Sequence, residues 1–282
     1  MKHTEFGDRM KMYEKLETSR KFMPLVPIIA RMDGKNFHRF AKKMDRPFDE
    51  GFRDVMATVT KRLVEETGAL VGYTQSDEIT LLFFSNTIKS QIFLNHKIHK
   101  MISILAAMTT MYFNEQNYLP SSVFDARVFQ VPTKEEAVNQ FLFREYDAIT
   151  NSISAVAQAC FSDAELFKKN TSMMQDMLML KEGINWNDFD SRYKRGTYFR
   201  KIHTKRKFTS EEMDKLPLKH QARKNPDLQV VRGSVERLIM PPLQKVVNRI
   251  DVFFNEVDPK IVSEDYTIKD ERGSLKVIIC SK

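Results

Sequence analysis

The hydrophobic periodicity of residues 26–131 runs strand, helix, strand, strand, helix, strand, an order that few arrangements of a single sheet accept. Residues 26–32 (VPIIARM) form a nearly continuous apolar run ending in Asp33-Gly34, the pattern of a buried central strand closed by a turn, with Pro27 near its start where a strand tolerates it. From Asp49 to Thr67 the spacing places Phe52, Val55, Met56, Val59 and Leu63 on one helical face, and Gly68 follows as the stop. Residues 69–73 (ALVGY) and 78–84 (EITLLFF) flank the polar turn Thr74-Gln75-Ser76-Asp77 and read as a hairpin. Residues 88–117 then stack Leu94, Ile98, Met101, Ile102, Leu105, Met108 and Tyr112 at helical spacing before Pro120, and residues 123–131 (VFDARVFQV) read as another strand.

This is the split βαβ order of ferredoxin-like domains, so the expected class is α/β (α+β) with a βαββαβ core. In that topology the first and third strands are antiparallel neighbours in the middle of the sheet. The hairpin between strands two and three then lies beside the end of strand one, and Asp33 and Asp77 are expected to meet there. Residues 1–135 are read as the catalytic domain and 136–282 as a helical and mixed C-terminal region, with a helix over 133–161 and strands over 227–232 and 274–280.

Two carboxylates at neighbouring strand ends, with a Gly34 carbonyl facing the same point, make a hard oxygen site suited to Mg²⁺. Two such ions, about 3.5–4 Å apart, serve phosphoryl transfer. Glu78 adds a third acid, as an outer ligand or as a solvent-facing residue. The segment Gly34-Lys35-Asn36-Phe37-His38-Arg39 offers backbone N–H groups and cationic side chains to a triphosphate. Asp125 and Arg127 are expected to pair with each other on one strand face, His96 and His99 to face solvent on the long helix, and Met173, Met174, Met177 and Met179 to fill core gaps. Cys160 and Cys280 have no partners at zinc spacing and are read as reduced thiols.

The formal net charge of +8 favours a polyanionic partner, and its distribution sharpens this. From Arg192 to Lys207 the chain reads RYKRGTYFRKIHTKRK, with eight Lys or Arg, no acid, and Tyr193, Tyr198 and Phe199 interleaved. Cations neutralise phosphates while aromatic faces stack on unpaired bases, so Lys194, Arg195, Lys205, Arg206 and Lys207 are candidate RNA contacts, against the plainer reading of a solvated loop. The predicted helix carrying Arg144 and Asn151 is a second candidate RNA surface. No apolar run of membrane-spanning length and no secretory signal appears, so a cytoplasmic protein without a membrane partner is expected.

Two motifs, RMDGKNFHRF at 31–40 and GYTQSDEITLLF at 72–83, resemble the tRNA-His guanylyltransferase-like (Thg1-like) 3′-to-5′ polymerases in order, spacing and strand context. The likeness extends over FGDRMKMYE near the N-terminus, FDARVF at 124–129, FREYDAITNSISAVAQ at 143–158 and GINWND at 183–188. The resemblance implies a polymerase-like palm that extends tRNA at its 5′ end, with GTP or ATP as nucleoside triphosphate substrates. It implies that Asp33, Gly34 and Asp77 hold two Mg²⁺ ions, that Lys35, Phe37 and His38 border the triphosphate, and that Ser76-Asp77-Glu78 border the nucleotide. It also implies a homo-oligomer, a tetramer in the family. Eukaryotic members carry His-Ile-Asn-Asn where this chain reads Ile149-Thr150-Asn151-Ser152, so the recognition His is absent. That departure points to the bacterial, archaeal or phage branch and to templated repair of 5′-truncated tRNA. Addition of a single 5′ guanosine to tRNA-His stays open, as do a cyclase-like palm enzyme and an inert RNA-binding protein.

Overall fold

A computed structural model describes residues 3–41, 44–225, 227–269 and 275–280, with side chains from Thr4 to Ile261 apart from His38 and Ala41. In chain order the elements are α1 (His3–Thr18), β1 (Ile28–Gly34), α2 (His38–Ala41), α3 (Glu50–Thr67), β2 (Val71–Gln75), β3 (Glu78–Phe83), α4 (Ile98–Glu115), β4 (Phe124–Gln130) and α5 (Lys134–Cys160). The short helices α6 (Asp163–Leu166), α7 (Thr171–Met177) and α8 (Ser191–Arg195) lead to β5 (Thr197–Lys207). After α9 (Ser210–Lys215) and α10 (Gln221–Lys224) the chain returns as β6 (Gln229–Leu238), then α11 (Arg249–Phe254), β7 (Val262–Lys269) and β8 (Leu275–Cys280). Among the described residues no helix is long and apolar enough to cross a membrane.

The main sheet has the order β4-β1-β3-β2-β5-β6 with every pair antiparallel, so β1 and β3 are neighbours inside it as the topology requires. Alternation along β1 splits the core between its two faces. Ile28, Ala30 and Met32 pack with Val59 and Leu63 of α3 and with Leu105 and Phe113 of α4. Ile29 faces the other way, into a cluster with Leu82, Val138 and Phe141 of α5, and Phe253 of α11. A third cluster joins Ile153 and Val156 on α5 to Leu178 and Trp186. Helices α3 and α5 start on side-chain caps, whereas α4 has none: Asp49 accepts from the Phe52 amide at 2.8 Å and Thr133 from the Glu136 amide at 3.1 Å. Gly68, at φ 71°, ends α3.

Four sequence expectations change. The helix read over 88–117 begins only at Ile98, because Leu94, Asn95 and His96 take φ values of 53°, 54° and 63° and break it. His96 therefore sits in the break, partly buried, and only His99 is exposed on α4. Met174 and Met177 lie against the third cluster, whereas Met173 and Met179 are exposed. In addition, the sheet runs across the expected boundary at residue 135, since β5 pairs with β2 through Tyr73↔Tyr198 and Val71↔Arg200. The alternating Lys and Arg residues of β5 hide a strand whose first half is core.

Gly196 makes this crossing possible. It lies between α8 and β5 at φ 76° and ψ −169°, a region that side chains disfavour, and a Cβ there would stand 2.5 Å from the Thr74 carbonyl oxygen. Gly183 has φ 68° but open space around its Cα. Urea unfolding should show Gly196→Ala destabilised by roughly 2–4 kcal/mol and Gly183→Ala by only about 1 kcal/mol. Equal losses would mean that the β2–β5 junction does not depend on close backbone approach.

Candidate active site

The register of β1 decides what meets at its end. Asp33 pairs with Glu78 on β3 and with Asp125 on β4, so three acids stand side by side on the face that α5 covers. Gln75 and Glu78 close the β2–β3 hairpin and leave Ser76 and Asp77 at its tip, with Ser76 at φ 52° and its Oγ donating to Asp77 Oδ1 at 3.1 Å. A Cβ on Gly34 would lie 2.9 Å from Asp77 Oδ2 and 2.3 Å from the Phe37 ring, so the bare glycine is what admits the carboxylate against β1. Asp33, Gly34 and Asp77 thus converge as the topology predicts.

Burial raises the Asp33 pKa above the usual carboxylate range, and the neighbouring Glu78 adds to this. Burial also pushes Asp77 up to about 6, with the Asp33 charge contributing in the same direction. Glu78 is held by Arg144, whose Nη1 is 3.0 Å from Oε2 while its Nη2 reaches Asp147 at 2.8 Å. Arg127 stands 3.4 Å from Asp125 and 3.9 Å from Asp33. Two of the acids therefore have closer cationic partners of their own. Among the described residues no three His, Cys, Asp or Glu side chains converge as a metal cage. Two carboxylates beside a main-chain turn, Asp33 with arginines no nearer than 3.7 Å, form a donor set that fits a hard divalent ion retaining several waters.

The nucleotide-side candidates separate on inspection. Lys35 and Asn36 are exposed, but the Lys35 amide donates to the Val123 carbonyl at 2.8 Å and is already used. Phe37 is a correction: its ring is buried among Phe52, Phe113 and Phe124 at centroid distances of 5.2, 5.6 and 5.8 Å, so it supports the turn from within the core. The His38 side chain lies outside the described residues.

Beside the hairpin tip opens a cavity of about 320 Å³ bordered by Ser76, the 44–49 segment, Arg53, Asn151 and Tyr193. Phe48 stacks on Tyr193 at 4.7 Å and 9°, and the Arg53 guanidinium covers the Tyr193 ring at 4.7 Å. Arg53 Nη1 is buried without a hydrogen-bond partner. Sequence reading missed Phe48 and Arg53, whose only signal was an arginine- and phenylalanine-containing segment, RPFDEGFR, close after the first motif.

The RNA candidates also divide. Lys194 is buried, donates to the Asn187 carbonyl and lies over Trp186, which removes it from any phosphate. Arg144 is largely buried and engaged with Glu78 and Asp147, so it is not a free RNA cation on an outer surface. Arg195 is partly buried, and Tyr198 and Phe199 sit in the two sheet cores rather than on a stacking surface. Farther along β5, Arg206 forms paired contacts to Glu212 at 2.7 and 2.8 Å and Lys207 reaches Asp227 at 2.5 Å, while Lys205 is exposed. Asn151 is exposed at the cavity rim.

The tRNAHis guanylyltransferase (Thg1) family profile matches residues 7–132. The chain is similar to a bacterial tRNA(His) guanylyltransferase (Thg1)-like protein solved in complex with ATP, at 37% identity and a TM-score of 0.65 over 70% of this chain and 87% of that one. A bacterial Thg1-like protein in complex with GTP matches at 30% identity and a TM-score of 0.66 over 86% of this chain and 94% of that one. A probable tRNA(His) guanylyltransferase of Drosophila melanogaster is 26% identical over 208 residues, 67% of this chain and 72% of its own length. With the carboxylate pair assembled on a palm-like sheet, the chain belongs to the Thg1 family of tRNA-His guanylyltransferase-like nucleotidyltransferases.

Proposed function

We propose that this enzyme adds nucleotides to the 5′ end of tRNA in the 3′-to-5′ direction, repairing 5′-truncated tRNA against the opposite acceptor strand. The observation that carries the reading is Asp77 packed against Gly34, close enough to Asp33 to feel its charge, at a hairpin tip whose Ser76 borders a cavity of about 320 Å³. The relatives solved with ATP and with GTP support a nucleoside triphosphate as substrate here. Templated repair is favoured over addition of one guanosine because Ile149 stands where the eukaryotic motif has His, and Ile149 packs against the third core cluster.

In this reading the cavity bordered by Phe48, Arg53 and Tyr193 seats the nucleoside, and Lys35 reaches its phosphates from the exposed turn. The nucleotide's 3′-hydroxyl attacks the activated 5′ phosphate of the RNA, and the phosphate-linked activating group leaves. Asp33, Gly34 and Asp77 would hold Mg²⁺, which when bound supplies charge neutralisation and activates the attacking oxygen. The protein's own contribution is orientation: Gly34 lets Asp77 close on Asp33, and Arg144 keeps Glu78 paired beside them.

Incubation with 5′-truncated tRNA, four nucleoside triphosphates and Mg²⁺ should lengthen the RNA at its 5′ end to the complement of its acceptor strand. Growth by one guanosine regardless of the opposite base would favour the single-addition reading. Asp33→Ala and Asp77→Ala should each lower the rate by more than roughly 100-fold at saturating Mg²⁺ while tRNA binding persists. A loss within about tenfold would remove both residues from the metal site.

Stability should report the same charges. An acid raised to about 6 in the folded protein contributes stability that is present below its unfolded value and lost as pH rises through about 6. Metal-free protein should therefore melt lower at pH 7.5 than Asp77→Asn, with the difference shrinking at pH 4. Mg²⁺ should raise the melting temperature of wild type at pH 7.5 more than at pH 5, and that of Asp77→Asn little. Equal Mg²⁺ effects on both proteins would place the ion elsewhere.

A further inference from the structure

A second cavity, of about 210 Å³, lies between the sheet and α5 on the same face as Asp33. Arg31, Arg127 and Arg144 border it, with Thr80 among its polar walls and Phe129 and Phe143 among its apolar ones. Arg31 and Arg127 point toward one oxygen, Asp33 Oδ2, at 3.7 and 3.9 Å, beyond hydrogen-bond reach. Arg31 makes no side-chain hydrogen bond among the described residues although its side chain is only 23% exposed, and its one charged neighbour there, Asp33, stands at 3.7 Å, which leaves its fork of five donors open to an anion. Guanidinium forks in that state fit a phosphate, which offers several acceptor oxygens at once. Phe129 and Phe143, 37% and 53% exposed, give the same cavity aromatic walls open to solvent.

We propose that this arginine-lined cavity is the acceptor subsite, taking the 5′-terminal phosphate of the RNA while its first base rests against Phe129 or Phe143. This rests on the reading that the enzyme extends RNA at its 5′ end, and it gives the two substrates separate places. The nucleotide occupies the cavity at the hairpin tip, the RNA terminus occupies the arginine-lined cavity, and the carboxylate pair lies beside both. α5 borders both cavities, through Arg144 in one and Asn151 in the other. Phosphate is the shared chemistry of an RNA terminus and of a free polyphosphate, so the test carries an arm for each.

The experiment measures equilibrium binding of one 5′-truncated tRNA made with either a 5′-monophosphate or a 5′-hydroxyl, without nucleotide. Wild type should bind the phosphorylated RNA about tenfold more tightly. Arg31→Gln, and separately Arg127→Gln on the exposed edge strand, should each remove most of that preference and leave affinity for the hydroxyl RNA unchanged. Sodium tripolyphosphate should compete away the preference in wild type. Equal binding of the two RNAs by wild type, or a preference retained in both variants, overturns the proposal. So does a wild type indifferent to RNA phosphorylation whose Arg31→Gln variant loses ATP affinity, since the cavity would then serve the nucleotide. The assay involves no turnover, so its failure is separable from a failure of 5′ extension.

Discussion

Antiparallel pairing of β1 with β3 is the constraint on which everything functional depends. Its register sets Asp33 opposite Glu78, and the two-residue hairpin tip that follows β2 then brings Asp77 against Gly34. Because side chains alternate along a strand, a slip of one residue would turn Asp33 into the α3–α4 core and expose Met32. The buried run Ile28, Ala30 and Met32 fixes that register through packing, so the hydrophobic core and the candidate site are specified by the same few residues.

The site itself is electrostatically unfavourable in isolation. Asp77 is pushed up to about 6 because burial and Asp33 both oppose its charge, and among the described residues no cationic side chain is bonded to it. The arginines nearby are distributed unequally: Arg144 closes on Glu78, whereas Arg31 and Arg127 stop short of Asp33. That pattern leaves Asp33 only loosely paired, at 3.7 and 3.9 Å, beside the partly buried Asp77. A cation and an anion bound side by side would relieve both. Stability is spent here on function, which is where local rules are expected to be broken.

Much of this was legible beforehand. Two apolar strand patterns and two amphipathic helices placed Asp33 and Asp77 together across the chain, because topology follows from periodicity when one face of each element is buried. The errors have physical causes. Phe37 follows the Asp33-Gly34 turn in sequence, yet the turn's curvature drives its ring into the core, and a lone aromatic carries no sign of that. Lys194 looked like an RNA contact because charge is read from composition, whereas burial depends on the Asn187 carbonyl and Trp186 that receive it. The helix break at Leu94–His96 needed three consecutive left-handed residues that hydrophobic spacing does not register. The Phe48–Tyr193 stack joins segments far apart in sequence, and no periodicity links them.

The central claim is that Asp77 is held as a partly buried carboxyl that a divalent ion completes. Carbon NMR of selectively labelled aspartate, with the Asp77 signal assigned from Asp77→Asn, measures this directly. The account predicts titration near 6 without metal and a midpoint displaced well below that value in saturating Mg²⁺, with the Asp33 signal moving alongside. An Asp77 signal that titrates in the ordinary carboxylate range, or one that Mg²⁺ leaves in place, would contradict it.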